Sequence, residues 1–352
     1  MAVQDVLAPG AAEQAAAPGP SEGAHGVWRR LRARRSAVVA AAVLAVLILA
    51  ALAAPLLTHL NGQDPYTYHD GLVDSASGGA PRGAFGGVSG EHWLGVEPGT
   101  GRDLFARLVY GARISLFVAV GATLLQLVIG VSVGLAAALG RRWADQVLSR
   151  VTDVMVALPM LVLAIALTTV VPQDFPRPLL LILVMGVLGW AGTARLVRAQ
   201  TLTLGRLDFV AAARLGGSGP LRVVRRELLP SLAAPVFTFA AILLPVNIVL
   251  EASLSFLGMG VKPPTPSWGQ MLSTASTWFR ADPMYVLVPS GLLFVTVLAF
   301  TVLGDAVRTA LDPREASRLR VGRETGRPGT RRGGKQESRG SGGSGGSGGA
   351  EA

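Results

Sequence analysis

Long apolar blocks constrain this chain more than any other feature of its sequence. A helix that crosses a bilayer takes about 20 apolar residues. Six blocks rich in Ala, Val and Leu reach that length, near residues 36–58, 114–139, 153–171, 179–197, 231–257 and 284–306. Because the bilayer interior holds no water, each block must satisfy its own backbone groups and therefore be helical. The sequence predicts an all-α membrane protein with six transmembrane helices.

The distribution of positive charge predicts the orientation of these helices. If the N-terminus is cytoplasmic, 25 of the 32 Lys and Arg residues fall on the cytoplasmic side and 7 fall in outer loops. Cytoplasmic loops of membrane proteins typically carry an excess of Lys and Arg, so we expect both termini to be cytoplasmic. The net charge of +10 then reflects topology, and no nucleic-acid partner is predicted. The absence of cysteine excludes disulfides and thiolate metal sites.

Composition divides the chain into five regions. The two ends are polar and rich in Gly, Pro, Ala or Ser, and we expect both to be disordered. The last residues repeat Gly-Gly-Ser and resemble a flexible linker. The predicted regions are a basic cytoplasmic N-terminus (1–35), a first transmembrane helix (36–58), an external loop with an amphipathic segment (59–113), a core (114–314) and a cytoplasmic tail (315–352).

The segment 208–230, which we call the elbow, is a long polar interruption between apolar blocks. Asp208 is predicted to cap a short helix over 209–215, and Gly216-Gly217 to end it with a left-handed residue. Ser218 or Gly219 would cap a second helix that begins with Pro220. Two apolar residues, Phe209 and Val210, are expected to face another protein. A basic amphipathic elbow that rests on anionic lipid is the alternative interpretation.

The elbow resembles the EAA loop of ABC-importer permeases, which has a Glu-Ala-Ala triplet, a Gly six residues after the Glu, and a downstream Leu-Pro. In that family this loop is the coupling helix, which docks in a groove of the ATPase subunit. Ala211 stands at the glutamate position here. The resemblance implies that the docking residues are Asp208, Phe209, Val210, Ala211, Ala212, Ala213, Arg214, Gly217, Leu229 and Pro230.

Four further strings resemble the dipeptide/oligopeptide branch of these permeases, in the branch's order. Val96-Glu97 replace a Thr-Asp of the branch, just before the first string. Asp153 is predicted to cap the start of a helix, and Pro159 to kink the third block. The strings are Gly101-Arg102-Asp103 with Tyr110–Arg113, Arg150 with Asp153 and Pro159, Glu251 with Leu254–Gly258 and Pro263–Gly269, and Gly304-Asp305 with Leu311–Arg314.

The resemblance implies a C-type permease subunit with the type I importer (MetI-like) fold, in the bacterial plasma (inner) membrane. Its implied cargo is di- or oligopeptides. Its implied partners are a homologous second permease, two ABC ATPase subunits, an external substrate-binding protein and the lipid bilayer. We expect no catalytic residue, metal or cofactor in this chain, and ATP bound by the partner subunits. Gly329–Lys335 fits the spacing of a phosphate-binding loop, but Gln336 lacks the required hydroxyl.

A polar stripe in the fifth block is the candidate lining of a translocation pathway. Asn247, Glu251 and Ser255 are spaced four residues apart and share one helix face. A charged group in a membrane helix costs about 2.5–3.5 kcal/mol on insertion scales, so Glu251 should face protein or water. Hydrogen bonding between helices, or snorkelling of Glu251 to the surface, is an equally open interpretation.

Three alternative functions remain open. Within the same branch, the cargo would be nickel chelates, glutathione or another small solute. An ion-driven secondary transporter would show inverted repeats and broken central helices, which the sequence halves do not suggest. A membrane enzyme is disfavoured because the four histidines form no His-Glu-x-x-His motif and no Ser/His/Asp set is evident.

Overall fold

The computed structural model describes residues 31–311, and the predictions for 1–30 and 312–352 fall outside the described residues. The phosphate-loop-like segment and the end of the last string are among them. Twelve α-helices lie wholly within the described range: α1 (Arg35–Leu52), α2 (Ala54–Asn61), α3 (Leu104–Leu139), α4 (Arg142–Ala157), α5 (Met160–Val170), α6 (Arg177–Gly189), α7 (Ala191–Leu204), α8 (Asp208–Leu215), α9 (Pro220–Val223), α10 (Leu229–Phe256), α11 (Trp268–Trp278) and α12 (Pro283–Leu311).

Four helical runs in residues 31–311 are long and apolar enough to cross a membrane by themselves. They are α1, α3, α12 and the run Pro220–Phe256, in which a π-helical turn joins α9 to α10. Two pairs pass the same test together but are bent, α4 with α5 by 90° and α6 with α7 by 43°. This part of the chain therefore holds four candidate spans, or six if each bent pair is one span.

The second predicted span is longer than expected. Its helix, α3, has 36 residues and begins at Leu104, so the amphipathic segment of the outer loop is continuous with the span. Asp103 sets this start, because its side chain accepts a hydrogen bond from the Ala106 backbone N–H at 2.7 Å. The preceding loop holds short 3₁₀ turns and one antiparallel pair of two-residue strands, β1 (Val73–Asp74) and β2 (Ala80–Pro81).

The chain bends by 90° at Pro159, which confirms the predicted kink in the third span. The expectation that no central helix is broken was wrong. Helix α4 ends at Ala157 and α5 begins at Met160, directly after Pro159. The prediction that Asp153 caps a helix start was wrong. Helix α4 begins at Arg142, so Asp153 lies in its final turns, where its carboxylate pairs with Arg195 of α7.

Helix α3 lies at the centre of the bundle and contacts α6, α7 and α10. Close approach to α7 requires a glycine at position 134, because a Cβ there would lie 2.7 Å from the Ala194 carbonyl oxygen. Buried apolar side chains of α3, α10, α11 and α12 form one cluster, and those of α3, α5, α6 and α10 form another. The two clusters pack the long helices against one another.

Buried charges tie the outer loop to the ends of three helices. We call Glu97, Arg102, Arg107 and Tyr285 the outer cluster, and all four side chains are buried. The Glu97 carboxylate pairs with Arg102 at 2.6 Å and with Arg107 at 3.4 Å. It also accepts a hydrogen bond from the Tyr285 hydroxyl of α12.

Arg107, in the first turns of α3, extends the outer cluster to three more segments. It donates to the carbonyl oxygens of Pro65 and Pro264, each at 3.2 Å, and to the Gln270 side chain of α11 at 2.9 Å. Burial by itself raises the pKa of Glu97, but Arg107, Tyr285 and Arg102 outweigh it and hold the pKa below its usual value. Glu97 is therefore a buried carboxylate whose negative charge offsets two buried guanidinium groups.

Replacing Glu97 by Gln should destabilise the protein by about 3–5 kcal/mol, because two buried arginines lose their counter-charge. The pKa of Glu97 is lowered by folding, so its contribution is present above the unfolded-state pKa near 4.5 and is lost as pH falls below it. Thermal unfolding in detergent, followed from neutral pH to acid, measures both effects.

The matched control is Glu91→Gln, which neutralises an exposed carboxylate of the same loop. The control should unfold like the wild type at every pH. An equally small effect of both substitutions would contradict the role assigned to Glu97.

Candidate functional site

The elbow folds as two short helices around a glycine turn. Gly217 has a φ of 78°, which confirms the predicted left-handed residue. Gly219 caps α9 and Pro220 is its first residue, as predicted. The prediction that Asp208 caps α8 was wrong. The capping residue is Leu207, and Asp208 is the first residue of the helix, with no side-chain hydrogen bond to a backbone N–H of the first turn.

The elbow has a small apolar core of its own. Val210, Val223 and Leu228 are buried together, and Leu204 at the end of α7 packs against them. The prediction that Val210 faces another protein was therefore wrong. The glycine turn folds α9 back beside α8, and this gives Val210 an apolar partner within the chain.

Four large apolar side chains remain on the outside of the elbow, one of them Leu229 at its end. Leu215 is 90% exposed, Leu221 is 68% exposed and Phe209 is 40% exposed. Phe209 was predicted from the sequence, whereas Leu215 and Leu221 were missed, although both lie within a few residues of the glycine turn. Of the other predicted docking residues, Ala211, Ala212, Arg214, Gly217, Leu229 and Pro230 are exposed and Ala213 is partly buried.

The elbow also presents a concave, basic surface. A cavity of about 500 Å³ lies beside the glycine turn and is lined by Leu221, Pro220 and three arginines, Arg222, Arg225 and Arg226. Arginine forks suit the recognition of carboxylates or phosphates. The cavity combines apolar and basic side chains, a composition that suits an acidic protein partner or anionic lipid.

The predicted polar stripe of α10 lies between helices. Asn247 donates to the Thr123 hydroxyl at 2.8 Å and to the Gln126 carbonyl oxygen at 3.0 Å, both in α3. Gln126 donates in turn to the Met185 carbonyl of α6 at 3.0 Å. These bonds join α3, α6 and α10 through side-chain amides inside the bundle.

The other two residues of the stripe, Glu251 and Ser255, lie near the outer end of α10, where Ser255 bonds to the loop that follows it. The Ser255 hydroxyl donates to the Glu251 carboxyl at 2.8 Å and accepts a hydrogen bond from the Val261 backbone N–H at 3.1 Å. Asn247, Glu251 and Ser255 are all buried. In this conformation the three side chains bond to protein, and their role as pathway lining stays a prediction.

No group of three or more His, Cys, Asp or Glu side chains that could hold a metal is found among residues 31–311.

Solved structures that match part of this chain include two crystal forms of the MetNI methionine ABC transporter in inward-facing conformations. They share 20% and 21% sequence identity with this chain, with TM-scores of 0.47 and 0.49. In each case the match covers 58% of this chain and 96% of the other.

Relatives found by sequence match a larger share of the chain. A glutathione transport system permease protein, GsiD, from Pectobacterium atrosepticum is 34% identical over 287 residues, which cover 82% of this chain and 90% of that protein. A dipeptide transport system permease protein, DppC, from Alkalihalophilus pseudofirmus is 33% identical over 290 residues with the same coverage. GsiD from Escherichia coli O157:H7 is 34% identical over 290 residues, again with the same coverage.

Two family models match the chain. The N-terminal transmembrane domain of oligopeptide transport permease C matches residues 24–76. The binding-protein-dependent transport system inner membrane component matches residues 126–317, which is more than half of the chain and includes the whole elbow. Together with the relatives, this match shows that the chain belongs to the family of binding-protein-dependent transport system inner membrane components.

Proposed function

We propose that this chain is a membrane-spanning permease subunit of an ATP-driven importer for di- and oligopeptides. The elbow is the observation that carries the proposal. It has its own apolar core, yet it turns Phe209, Leu215 and Leu221 outward beside a basic cavity. Such a surface suits a partner protein, and in this family that partner is an ATPase.

The proposed assembly contains a homologous second permease, two ABC ATPase subunits and an external substrate-binding protein. Each bent helix pair counts as one span, so the chain crosses the bacterial plasma membrane six times with both termini in the cytoplasm. This arrangement is supported by the excess of Lys and Arg in the segments that it places inside. The chain itself carries no catalytic site, and ATP is bound and hydrolysed by its partners.

The path of force runs from the elbow into α10. The helical run Pro220–Phe256 is continuous, so a movement of the elbow displaces the polar stripe at Asn247, Glu251 and Ser255. Coupling of this kind is a free-energy difference between two states of the bundle. Closure of the ATPase subunits would favour the state in which the stripe opens to the external binding protein and its cargo.

The names of the relatives support a small peptide as cargo. One group transports dipeptides and another transports glutathione, a tripeptide. We place di- and oligopeptides first and glutathione second within the same class. Nickel chelates or another small solute are the further alternatives in this family, and ion-driven transport is the alternative from a different class.

ATP-dependent peptide uptake is the direct test of this function. Proteoliposomes that contain the complete complex should accumulate radiolabelled dipeptide only with internal ATP and the external binding protein. A complex with a hydrolysis-deficient ATPase is the control and should not accumulate the peptide. Uptake that follows an ion gradient in the absence of the ATPase would contradict the proposal, and competition by glutathione separates the two peptide cargoes.

Introducing a charge on the exposed face of the elbow should weaken ATPase binding. Leu215→Asp, or Phe209→Asp, removes a contact at the centre of the proposed interface, and a loss of about 2 kcal/mol corresponds to roughly 30-fold weaker binding. Co-purification of the ATPase with the permease measures the effect. Phe279→Asp changes an exposed phenylalanine at the opposite end of the bundle and should leave ATPase binding unchanged. Full retention of the ATPase by both elbow variants would show that the elbow is not the docking site.

The pathway role of the polar stripe can be measured with single cysteines, because the chain has none of its own. Ser255→Cys and Asn247→Cys should resist a water-soluble thiol reagent in the resting complex, since both positions are buried. During turnover with ATP and binding protein, labelling should increase. Lys262→Cys, exposed in the outer loop after α10, reports general access of the reagent. If turnover leaves both buried cysteines unlabelled, the stripe serves only to hold helices together.

A further inference from the structure

Helix α4 is held to the bundle in an unusual way. Its inner face carries Asp145, Ser149 and Thr152, and Thr152 is the one residue of this fully described helix that is buried. Apolar packing against the bundle is therefore sparse. Large apolar side chains of α4 instead lie on its exposed face: Trp143, Val147, Val151, Val154 and Val156.

Two ion pairs join α4 to α7. Arg198 forms a two-point contact with Asp145, with Nε–Oδ1 and Nη2–Oδ2 distances of 2.6 and 2.8 Å. Arg195 contacts Asp153 at 2.7 Å. We call these contacts the inner ion pairs. They bridge the helices beside a cavity of about 390 Å³, lined by Gly134, Ser149, Thr152, Ala194 and both arginines among others.

The inner ion pairs are partly exposed to solvent. The Asp145 and Arg198 side chains are about one-third exposed, and those of Asp153 and Arg195 are about half exposed. The Asp145–Arg198 pair is bidentate, the geometry in which a partly solvated ion pair contributes most, whereas Arg195–Asp153 is a single contact. The cavity behind them leaves space between α3 and the joined pair of α4 and α7.

Helix α7 connects these ion pairs directly to the elbow. It ends at Leu204, which packs in the core of the elbow with Val210 and Leu228, and α8 begins four residues later. On the other side, α4 leads into the 90° bend before α5. A displacement of the elbow therefore reaches α7 through apolar packing, and it reaches α4 and α5 through the inner ion pairs.

We propose that Asp145, Asp153, Arg195 and Arg198 are positioning residues for transport, which make the α4–α5 span follow the elbow. This inference rests on the proposed function, because it requires that an ATPase moves the elbow. It adds a second route for force beside the continuous helix of α10. The inner ion pairs give the bent span a connection to the elbow that its sparse packing does not supply.

Charge reversal with rescue tests the proposal. In the reconstituted complex, Asp145→Arg and Arg198→Asp should each lower peptide uptake per ATP hydrolysed by about tenfold, within the range of typical coupling energies. ATPase co-purification and basal hydrolysis should stay near wild type. The double variant D145R/R198D restores the pair with reversed polarity and should recover most of the lost uptake. Arg141→Asp reverses an exposed charge next to α4 and should transport normally.

A distance measurement gives a second readout that does not depend on transport. Spin labels at Gln146→Cys in α4 and Leu202→Cys in α7 report the helix separation in resting and vanadate-trapped complexes. In the otherwise wild-type complex, the distance between the labels should be the same in the resting and trapped states. In Asp145→Arg, the distance distribution should broaden in the trapped state.

The outcomes separate this inference from the proposed function. If the wild-type complex fails to import peptide with ATP, the proposed function fails. If the wild type imports peptide and the single reversals match it, or if the reversals fail without rescue and without a change in helix separation, the inner ion pairs do not transmit movement.

Discussion

The small apolar core of the elbow is the interaction on which the functional architecture depends. Val210, Val223 and Leu228 bury one another, and Leu204 joins them from the end of α7. Without this core, two helices of eight and four residues would be marginal in isolation. With it, the elbow is a compact body attached to α7 on one side and to α10 on the other. A partner that displaces the elbow at its exposed leucines would therefore displace α7 and α10 together.

The two ends of the bundle use charge in opposite ways. At the outer end, Glu97, Arg102 and Arg107 are buried together, and removing one partner from such a cluster is costly. At the elbow end, the inner ion pairs are one-third to one-half exposed and join only α4 and α7. The outer cluster thus fixes the outer loop, α3, α11 and α12 relative to one another, while the inner ion pairs join α4 to α7 alone. In the proposed assembly, this contrast puts the more rigid end of the bundle outside and the less constrained end beside the ATPase.

Sequence reasoning succeeded where the determining signal is local. Apolar blocks indicate helices because the bilayer leaves the backbone no other partner, and Gly217 and Pro220 fix the turn and the start of α9 by their own conformational limits. It failed where a partner lies far along the chain. Asp153 meets Arg195 across 42 positions, and Glu97 meets Tyr285 across 188, so neither contact has a pattern in the sequence. Val210 was misplaced for the same reason, since its burial depends on the fold of the glycine turn.

The central claim is that an ATPase subunit binds the exposed apolar face of the elbow. A cysteine at Leu215, in a chain that otherwise has none, can carry a short bifunctional crosslinker in the assembled complex. The expected result is a crosslink to the ATPase subunit whose yield changes between the resting and the vanadate-trapped complex. A complex that imports peptide at the wild-type rate and gives no crosslink between residue 215 and the ATPase in either state would contradict the claim.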